Sequence, residues 1–402
     1  MFSFEFATAD RIIFGAGKLN ELGKQIEGVA LSVEDPASSG AEGVSKGRTQ
    51  RLLFVRGHSS DAITRVREIL GTLGIPSTEF QVHGEPTIDV VREGIKAAQD
   101  CDMVIGLGGG SVLDAGKAIA ALVTNPGEVF DYLEVIGKGQ PLVNVSLPYI
   151  AIPTTAGTGA EVTRNAVLES AEQNVKVSLR SPLMLPQLAL VDPELTYTLP
   201  PEIPASSGLD ALTQLIEPFV SVKANPLTDA ICRAGMHHAA RSLRRAYENG
   251  ADTEAREGMS LASLLGGLAL ANAALGAVHG FAGPLGGMLH APHGVLCARF
   301  LPLVMEANVK ALEARRPEHP ALARYVEIAQ ILTGEKTATA LDGASWTSEL
   351  VNDLKIPRLS IYGMRPEDFP EAVQKTQKAN SFKGNPIVLD EKELTAILEQ
   401  AL

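Results

Sequence analysis

Cysteine is scarce in this chain. Its 402 residues include three cysteines, Cys101, Cys232 and Cys297, which lie far apart and form no CxxC pair. This spacing argues against a disulfide scaffold and against a zinc site built from cysteines, and it is typical of a protein from a reducing compartment. The first residues contain no basic region followed by an apolar core, so we expect no signal peptide and a cytoplasmic location.

An excess of positive charge is missing too. Lys and Arg number 35 against 47 Asp and Glu, which gives a formal net charge of -12. Nucleic-acid phosphates and anionic lipids repel such a chain, so we expect neither nucleic acid nor a membrane as a partner. A small-molecule substrate is the better expectation. The length and a hydrophobic fraction of 45% indicate a globular chain of about two domains.

One long apolar run invites a membrane interpretation. From Leu261 to Val278 nearly every residue is apolar, which is close to the length of a membrane span. The run is dominated by Ala and Gly, contains Ser263 and Asn272, and has no flanking basic anchors. We therefore predict a buried helix of a helical domain, because a core helix is also apolar all round.

The first half of the chain alternates short apolar runs with helical patterns. Five runs predict strands, at 51–55, 78–82, 103–107, 149–153 and 188–191, and helices are predicted at 61–73, at about 88–99 and from the glycines after 107 to 121. Continuous apolar strands that alternate with helices indicate a parallel sheet covered on both faces. The segment Val33–Arg48, rich in Ser, Gly, Ala and Glu, predicts a surface loop.

The character of the chain changes after about Leu199. Pro200, Pro201 and Pro204 interrupt it, and only helical patterning follows. The first of these helices are predicted over 209–220, 226–246 and 253–278. We predict an α/β domain over residues 1–199, an all-helical domain over residues 200–402, and a ligand cleft between them.

A glycine-rich loop stands between a predicted strand and a predicted helix. Gly108, Gly109 and Gly110 let the backbone approach a pyrophosphate, and the free N–H groups at the helix start point at the anion. Ser111 can cap the helix or donate to phosphate. The loop is not GxGxxG, so a tight turn without a ligand is the alternative.

A second loop favours the nucleotide interpretation. It spans 153–159 (PTTAGTG) and supplies the hydroxyl groups of Thr154, Thr155 and Thr158 beside two glycines. Two such loops at the carboxyl ends of neighbouring strands are the arrangement expected of a nucleotide site.

A carboxylate and two imidazoles form a candidate metal site. Asp210 and Gln214 lie four residues apart on a predicted helix and share a face. His279 and His293 lie fourteen residues apart around a Gly- and Pro-rich break. One carboxylate with two imidazoles suits a divalent transition metal with open positions. The spacing alone does not decide between this site and two histidines that are satisfied within the core.

Six segments carry a resemblance to a known family. They are 11–15 (RIIFG), 108–117 (GGGSVLDAGK), 153–163 (PTTAGTGAEVT), 191–196 (VDPELT), 208–217 (GLDALTQLIE) and 278–294 (VHGFAGPLGGMLHAPHG). In these segments, and over nearly its whole length, the chain resembles the iron-containing (group III) alcohol dehydrogenases. The resemblance implies a dinucleotide-binding α/β domain with a parallel sheet, followed by an all-helical metal domain, which is the dehydroquinate synthase-like architecture.

The resemblance also implies an activity and a set of site residues. It implies hydride transfer between NAD or NADP and a small alcohol, aldehyde or ketone, with a divalent metal, Fe²⁺ in the family, and a homodimer or larger assembly. Gly108, Gly109, Gly110 and Ser111 would bind the pyrophosphate, and Gly57, Asp114, Thr154, Thr155, Thr158, Lys176 and Leu195 would line the rest of the cofactor site. The four metal-ligand positions would be Asp210, Gln214, His279 and His293.

The chain departs from the family at the metal site. The family usually has His at the position of Gln214, and an amide oxygen is a weaker and harder ligand. Zinc, another metal, or loss of the metal is therefore open. A second His often follows four residues after His279, but here that residue is Gly283. We name His290 as a substitute for catalytic proton transfer, with a surface or core role as the alternative.

A third departure concerns the choice of cofactor. Members that prefer NAD carry an Asp just after the first cofactor strand, where this chain has Gly57 beside Arg56. An acidic residue there repels a 2′-phosphate and binds the ribose diol, so its absence favours tolerance of NADP. The alternative is that Arg56 points to solvent.

Three other functions compete with the alcohol dehydrogenase. A metal-independent reductase similar to the maleylacetate reductases follows if Gln214 abolishes metal binding. A lyase similar to dehydroquinate synthase needs several Lys and Arg to hold a phosphorylated substrate, and the segment 214–294 is poor in them. An inactive nucleotide-binding relative is the third, and the retained Asp and both His beside a formed cofactor loop argue against it.

Overall fold

A six-stranded parallel sheet occupies the first half of the chain. The computed structural model describes residues 3–32, 51–58, 61–170, 172–173 and 175–402, so the predicted loop at Val33–Arg48 lies outside the described residues. The strands are β1 Arg11–Phe14, β2 Leu52–Arg56, β3 Ser77–Gln81, β4 Met103–Gly108, β5 Tyr149–Pro153, β6 Asn165–Ser170, β7 Val175–Arg180 and β8 Leu188–Val191. The sheet has the order β1-β8-β5-β4-β2-β3 with all neighbours parallel, and β6 and β7 form a separate antiparallel hairpin.

Helices cover both faces of this sheet. They are α1 Leu22–Ser32, α2 Asp61–Leu73, α3 Ile88–Ala97, α4 Gly110–Leu122 and the short α5 Val129–Tyr132. On one face Ile26 of α1 and Val66 of α2 join an apolar cluster with the sheet, and on the other Val91 of α3 and Ile119 of α4 do the same. The central strands β2, β4, β5 and β8 are therefore buried on both faces, and the predicted parallel sheet with two covered faces is confirmed.

The five predicted strands agree with the structure to within one residue at each end, but three other strands were not predicted. β1 is a four-residue edge strand with no fully buried residue. β6 and β7 alternate buried residues with half-exposed or exposed ones along most of their length. Such alternation is typical of a strand with one covered face. A search for continuous apolar runs passes over both kinds of strand.

Every regular segment described beyond residue 200 is helical. The long helices are α6 Glu202–Val220, α7 Pro226–Glu248, α8 Thr253–Ala273, α9 Ala277–Leu289, α10 His293–Arg315, α11 Pro320–Thr333, α12 Ala340–Asp353, α13 Phe369–Lys378 and α14 Glu391–Ala401. α6 packs against α7, α8 and α10 in the middle of this half. The sheet ends at Val191 and α6 begins at Glu202, so the predicted boundary at residues 199 and 200 lies in their connection and stays a prediction.

The single helix predicted over 253–278 is wrong at its end. α8 stops at Ala273, and α9 runs at 99° to it. The chain turns at Ala274, whose φ is 64°. The N–H of Ala277 then donates to Asn385 Oδ1 at 3.1 Å, and the N–H of Val278 donates to Glu217 Oε1 at 2.6 Å. These two side chains satisfy N–H groups that a helix start leaves free, so acceptors distant in sequence stabilise the break.

α8 packs between α6 and α7 with most of its residues buried, as the core-helix interpretation predicted. Among the described residues, no single helix combines the length and the apolar character that crossing a bilayer requires. α8 and α9 reach that threshold only when they are counted together as a bent pair.

A buried lysine joins α4 to the second loop and to the hairpin. Lys117 is 1% exposed, and its Nζ donates to Ala160 O at 2.7 Å, Thr163 Oγ1 at 2.9 Å and Asn165 O at 2.8 Å. Burial lowers the pKa of Lys117, and the carboxylate of Asp114, 3.7 Å away, opposes that shift. The lysine thus holds the chain that follows the second loop against the helix that follows the first.

We predict that Lys117→Met lowers the free energy of unfolding by roughly 3–5 kcal/mol, because removing one partner of a buried charge pair leaves the other uncompensated. Two backbone carbonyls, of Ala160 and Asn165, also lose their donor. Denaturant unfolding measures the change. Lys138→Met is the matched control, since Lys138 is 67% exposed and pairs with Asp131 at the surface. Equal unfolding curves for the two variants would contradict the prediction.

Candidate metal and cofactor site

Three helices bring four potential metal donors together. Asp210 lies on α6, His279 on α9, and His293 and Cys297 one turn apart at the start of α10. Their ligand atoms all lie within 4.8 Å of one another. His279 Nε2 is 3.3 Å from Asp210 Oδ1, and His293 Nε2 is 4.0 Å from the same oxygen. Three of the four were predicted from the sequence as metal donors; Cys297 was not.

Two buried oxygens on α6 lack hydrogen-bond partners. Among the described residues, Asp210 Oδ1 and Gln214 Oε1 are buried and accept no hydrogen bond of good geometry. Gln214 is 3% exposed and lies one turn after Asp210. An unsatisfied buried polar atom costs about 1–3 kcal/mol, and a cation bound at the cluster would satisfy Asp210 Oδ1. Contact between Gln214 and a metal stays a prediction. The residues present therefore fit the divalent cation that the family resemblance implies.

A glutamate that the sequence interpretation missed fixes the orientation of one imidazole. Glu217 is 4% exposed, and its Oε2 lies 2.7 Å from His279 Nδ1 while its Oε1 accepts the N–H of Val278. A carboxylate only accepts, so Nδ1 of His279 carries a proton, and Nε2 is directed at Asp210 and the rest of the cluster. Imidazoles that bind metals are typically held in this way. Glu217 follows Asp210 by seven residues on α6, and this two-turn spacing was the available signal.

The pKa values of the cluster differ in direction between its carboxylate and its thiol. Burial alone would raise the pKa of Asp210, but the contact with His279 and the charge of His293 outweigh it and hold the pKa at about 2. Burial raises the pKa of the Cys297 thiol to about 12. Asp210 is therefore ionised at neutral pH, and its Oδ1 faces Nε2 of both histidines. A cation bound between these atoms would be attracted by the carboxylate.

The predicted proton carrier lies outside the donor cluster. The His290 side chain is 69% exposed, and its Nδ1 is 3.6 Å from Glu169 Oε1 on β6. At Gly283, one turn after His279 on the same helix, an added Cβ would meet no atom within 4 Å. The face of α9 that carries His279 thus borders open space. A catalytic role for His290 stays a prediction.

The two predicted cofactor loops lie side by side. β4 ends at Gly108 and pairs with β5, so that Gly108 lies opposite Pro153 and accepts the N–H of Thr154 at 2.9 Å. An added Cβ at Gly110 would lie 2.7 Å from the Thr158 side chain, and one at Gly109 would lie 3.3 Å from Thr155 Oγ1. The glycines thus allow the loops to touch. The first N–H groups of α4, which have no partner within the helix, remain for an anion.

Three further residues of the predicted cofactor site have partners of their own. Oδ2 of Asp114 accepts the N–H of Val167 at 3.0 Å, and burial raises its pKa to about 6. Nζ of Lys176, on β7, is 3.0 Å from Glu85 Oε1, and the side chain is 5% exposed. Leu195 belongs to the apolar cluster on one face of the sheet. Cofactor contacts by these residues stay predictions.

A charged triplet lies beside Gly57 at the end of β2. Arg56 Nε donates to Glu79 Oε2 at 2.9 Å, and Arg67 binds the same carboxylate at 2.6 Å. The hydrogen bond from Arg67 and, after it, that from Arg56 hold the pKa of Glu79 at about 2. Arg56 is thus ion-paired, not free in solvent. Two guanidinium groups against one carboxylate leave a positive charge at this strand end, with no acid at Gly57.

Two adjacent glycines of α8 separate the metal side from the cofactor side. An added Cβ at Gly267 would lie 2.5 Å from Gly159 O in the second loop. An added Cβ at Gly266 would lie 3.2 Å from Ala211 O and 3.3 Å from Gln214 Cβ on α6. α8 therefore lies between the two candidate sites, in close contact with the second loop through Gly267 and with α6 through Gly266.

Comparisons with known proteins agree with this architecture. The family model described as iron-containing alcohol dehydrogenase matches residues 34–193, and the model for the C-terminal part of the Fe-containing alcohol dehydrogenase family matches residues 204–402.

Individual relatives extend the match to most of the chain. Alcohol dehydrogenase 4 of Schizosaccharomyces pombe is 39% identical over 324 residues, which covers 80% of this chain and 74% of the relative. The 1,3-propanediol dehydrogenase of Klebsiella pneumoniae is 35% identical over 356 residues, 86% of this chain and 89% of the relative. The solved alcohol dehydrogenase from Oenococcus oeni superimposes with a TM-score of 0.87 at 30% identity, covering 100% of both chains. The chain belongs to the iron-containing alcohol dehydrogenase family, as its motifs predicted, and is an oxidoreductase that acts on alcohols.

Proposed function

We propose that the enzyme transfers a hydride between NAD or NADP and a small alcohol, aldehyde or ketone, with a divalent metal held by Asp210, His279 and His293. The convergence of these three donors within 4.8 Å of one another carries the proposal. The two adjacent glycine- and threonine-rich loops support it independently, since they offer a dinucleotide site next to the helix that packs on the metal helix.

The chemistry divides between the bound groups and the chain. The metal, when bound, polarises the substrate oxygen as a Lewis acid, and the nicotinamide carries the hydride. Asp210 supplies one negative charge and so limits how strongly the alcohol is acidified. Glu217 holds His279 with its Nε2 directed at the cluster. The start of α4 and Ser111 bind the pyrophosphate, and Thr155 and Thr158 line the neighbouring loop.

The proton has several routes. The open space at Gly283, one turn after His279, offers room for water as one route, and the cofactor ribose hydroxyl is a second. His290 remains a third candidate, since it is exposed and within 3.6 Å of Glu169, which could receive or return a proton. Because residue 283 is glycine, proton transfer relies on solvent, on the cofactor or on His290.

We also infer acceptance of NADP beside NAD, a homodimeric assembly and a cytoplasmic location. The surplus of positive charge beside Gly57 supports the first, because it attracts a 2′-phosphate that an acid would repel. The dimer rests on family analogy. The location rests on the sparse, unpaired cysteines, and the net charge of -12 supports small molecules as partners in place of nucleic acid or anionic membranes.

We predict that His279→Ala and His293→Ala each lose bound metal and alcohol oxidation together, because each removes one of only three or four donors. Elemental analysis of the purified variants and a dehydrogenase assay with NAD and NADP measure both losses. His237→Ala, an exposed histidine of α7, is the control that keeps metal and activity. Full activity in metal-free enzyme would contradict the metal-dependent mechanism and favour the metal-independent reductase.

We predict that Glu217→Gln weakens metal binding by about 10- to 100-fold, the scale on which partners of metal-binding imidazoles act. Two donors, Val278 N–H and His279 Nδ1–H, face the two carboxylate oxygens, and an amide offers only one acceptor. Competition with a chelator measures the metal affinity. Glu202→Gln, on the exposed first turn of the same helix, is the control. An unchanged affinity in Glu217→Gln would remove its positioning role.

We predict that Gly57→Asp lowers the ratio of kcat/KM for NADP to kcat/KM for NAD by at least about tenfold, because a carboxylate near a 2′-phosphate is repelled by several kcal/mol at short range. The added Cβ would meet only Val112 Cγ2 at 3.4 Å, an ordinary contact, so the fold tolerates it. Gly57→Asn keeps the size without the charge and serves as control. An equal shift in both variants would show a steric origin and refute the electrostatic one.

A further inference from the structure

Cys297 lies where a metal donor would lie. Its Sγ is 3.5 Å from His293 Nε2 and 3.7 Å from His279 Nε2, and the residue is fully buried. A thiol has one proton and can donate it to one imidazole, yet this sulfur lies close to both. As a donor the thiol therefore accounts for one of the two contacts, and for the other it offers only the weak acceptor capacity of its sulfur.

The distances match those of a tetrahedral site. Bonds of about 2.0 Å to nitrogen and oxygen and about 2.3 Å to sulfur separate tetrahedral ligands by about 3.3 Å for N and O and about 3.5 Å for N and S. The structure has 3.3 Å between His279 Nε2 and Asp210 Oδ1, and 3.5 and 3.7 Å from the sulfur to the two imidazoles. The distance from His293 Nε2 to Asp210 Oδ1 is longer, at 4.0 Å.

The other two cysteines show what a packing role looks like. Cys232 is fully buried within the apolar cluster of the helical half. Within the described part of the chain, Cys101 Sγ makes one weak contact, to the Ala97 carbonyl at 3.9 Å. Among the described residues, the group of Asp210, His279, His293 and Cys297 is the one set of His, Cys, Asp and Glu side chains that could hold a metal. Cys297 thus differs from its counterparts in what surrounds it.

The thiol also offers a fourth donor in a chain that has Gln214 where the family usually has His. An amide oxygen is a hard, uncharged donor, whereas a thiolate is soft and charged, and soft donors select zinc over iron. On α10 the sulfur follows His293 by four residues, so both side chains share a helix face and enter the site from one rigid element. Asp210 Oδ1, buried and without a hydrogen-bond partner, faces the same point.

We propose that Cys297 is the fourth protein donor of the metal site, in the place that Gln214 leaves, and that the set of Asp210, His279, His293 and Cys297 shifts metal preference from iron to zinc. The inference rests on the proposed metal-dependent function. With four protein donors, the substrate oxygen would be a fifth ligand, and catalytic zinc sites sometimes expand to five ligands in the transition state.

Cobalt substitution tests the proposal without an activity assay. The full-length enzyme is stripped with a chelator and loaded with Co²⁺, and its near-ultraviolet thiolate-to-cobalt charge-transfer absorption is recorded. We expect the band in wild type and in the matched control Cys232→Ser. We expect its loss in Cys297→Ser and Cys297→Ala, with Co²⁺ affinity reduced by at least about tenfold, since even partners outside the ligand shell act on that scale.

A second measurement keeps the test independent of how the variants fold. X-ray absorption at the zinc edge of zinc-loaded wild type should show one sulfur neighbour at about 2.3 Å. Loading with equimolar Zn²⁺ and Fe²⁺ without oxygen should give a zinc-to-iron ratio that falls by about tenfold in Cys297→Ser.

The outcomes separate this proposal from the proposed function. Wild-type enzyme that binds cobalt or zinc with nitrogen and oxygen neighbours only would overturn Cys297 as a donor and leave the metal-dependent function standing. Wild-type enzyme that binds neither metal would overturn both. A band that survives in Cys297→Ala would assign the sulfur to another residue and also overturn the proposal.

Discussion

The helical half of this protein depends on one carboxylate. Glu217 accepts the N–H of Val278, the second residue of α9, with one oxygen and faces the imidazole of His279 with the other. The same group therefore stabilises the sharp break after α8 and orients a candidate metal-binding side chain at the third residue of the next helix. A break of this kind would otherwise expose free N–H groups inside an apolar core, so the position of His279 and the path of the backbone are determined together.

The cofactor half is organised around a cation in a similar way. Lys117 gathers oxygen atoms from the second loop and the hairpin, which holds two chain segments against α4. Its ammonium group is fully buried, and so is the Ala160 carbonyl that it binds. The two loops can then approach as closely as glycine backbones permit. Glu217 in the helical half and Lys117 in the cofactor half thus connect separate chain segments through hydrogen bonds of one buried side chain.

The sequence predicted those features whose physics is local. Continuous apolar runs predicted the five central strands, and glycines after a strand predicted the first loop. The unpredicted features depend on tertiary contacts. Ala274 turns the chain because Glu217 and Asn385 cap the next helix, and neither is a neighbour in sequence.

The sequence did not predict Cys297 as a metal donor, because three isolated cysteines do not form a zinc site made only of cysteines. That reasoning does not apply to a site that combines one cysteine with other residues. Its four-residue spacing from His293 was a usable signal. Its closeness to His279 arises only from the packing of α10 against α9.

The two glycines at the centre of α8 give the metal and the dinucleotide a common boundary. Gly267 lies against the second loop and Gly266 lies against α6, so the two candidate sites border adjacent residues of one helix. Binding free energies that are linked through such a boundary are reciprocal. The factor by which bound dinucleotide changes retention of the metal equals the factor by which the metal changes affinity for the dinucleotide. One coupling free energy therefore describes both effects, and a titration with either the metal or the dinucleotide measures it.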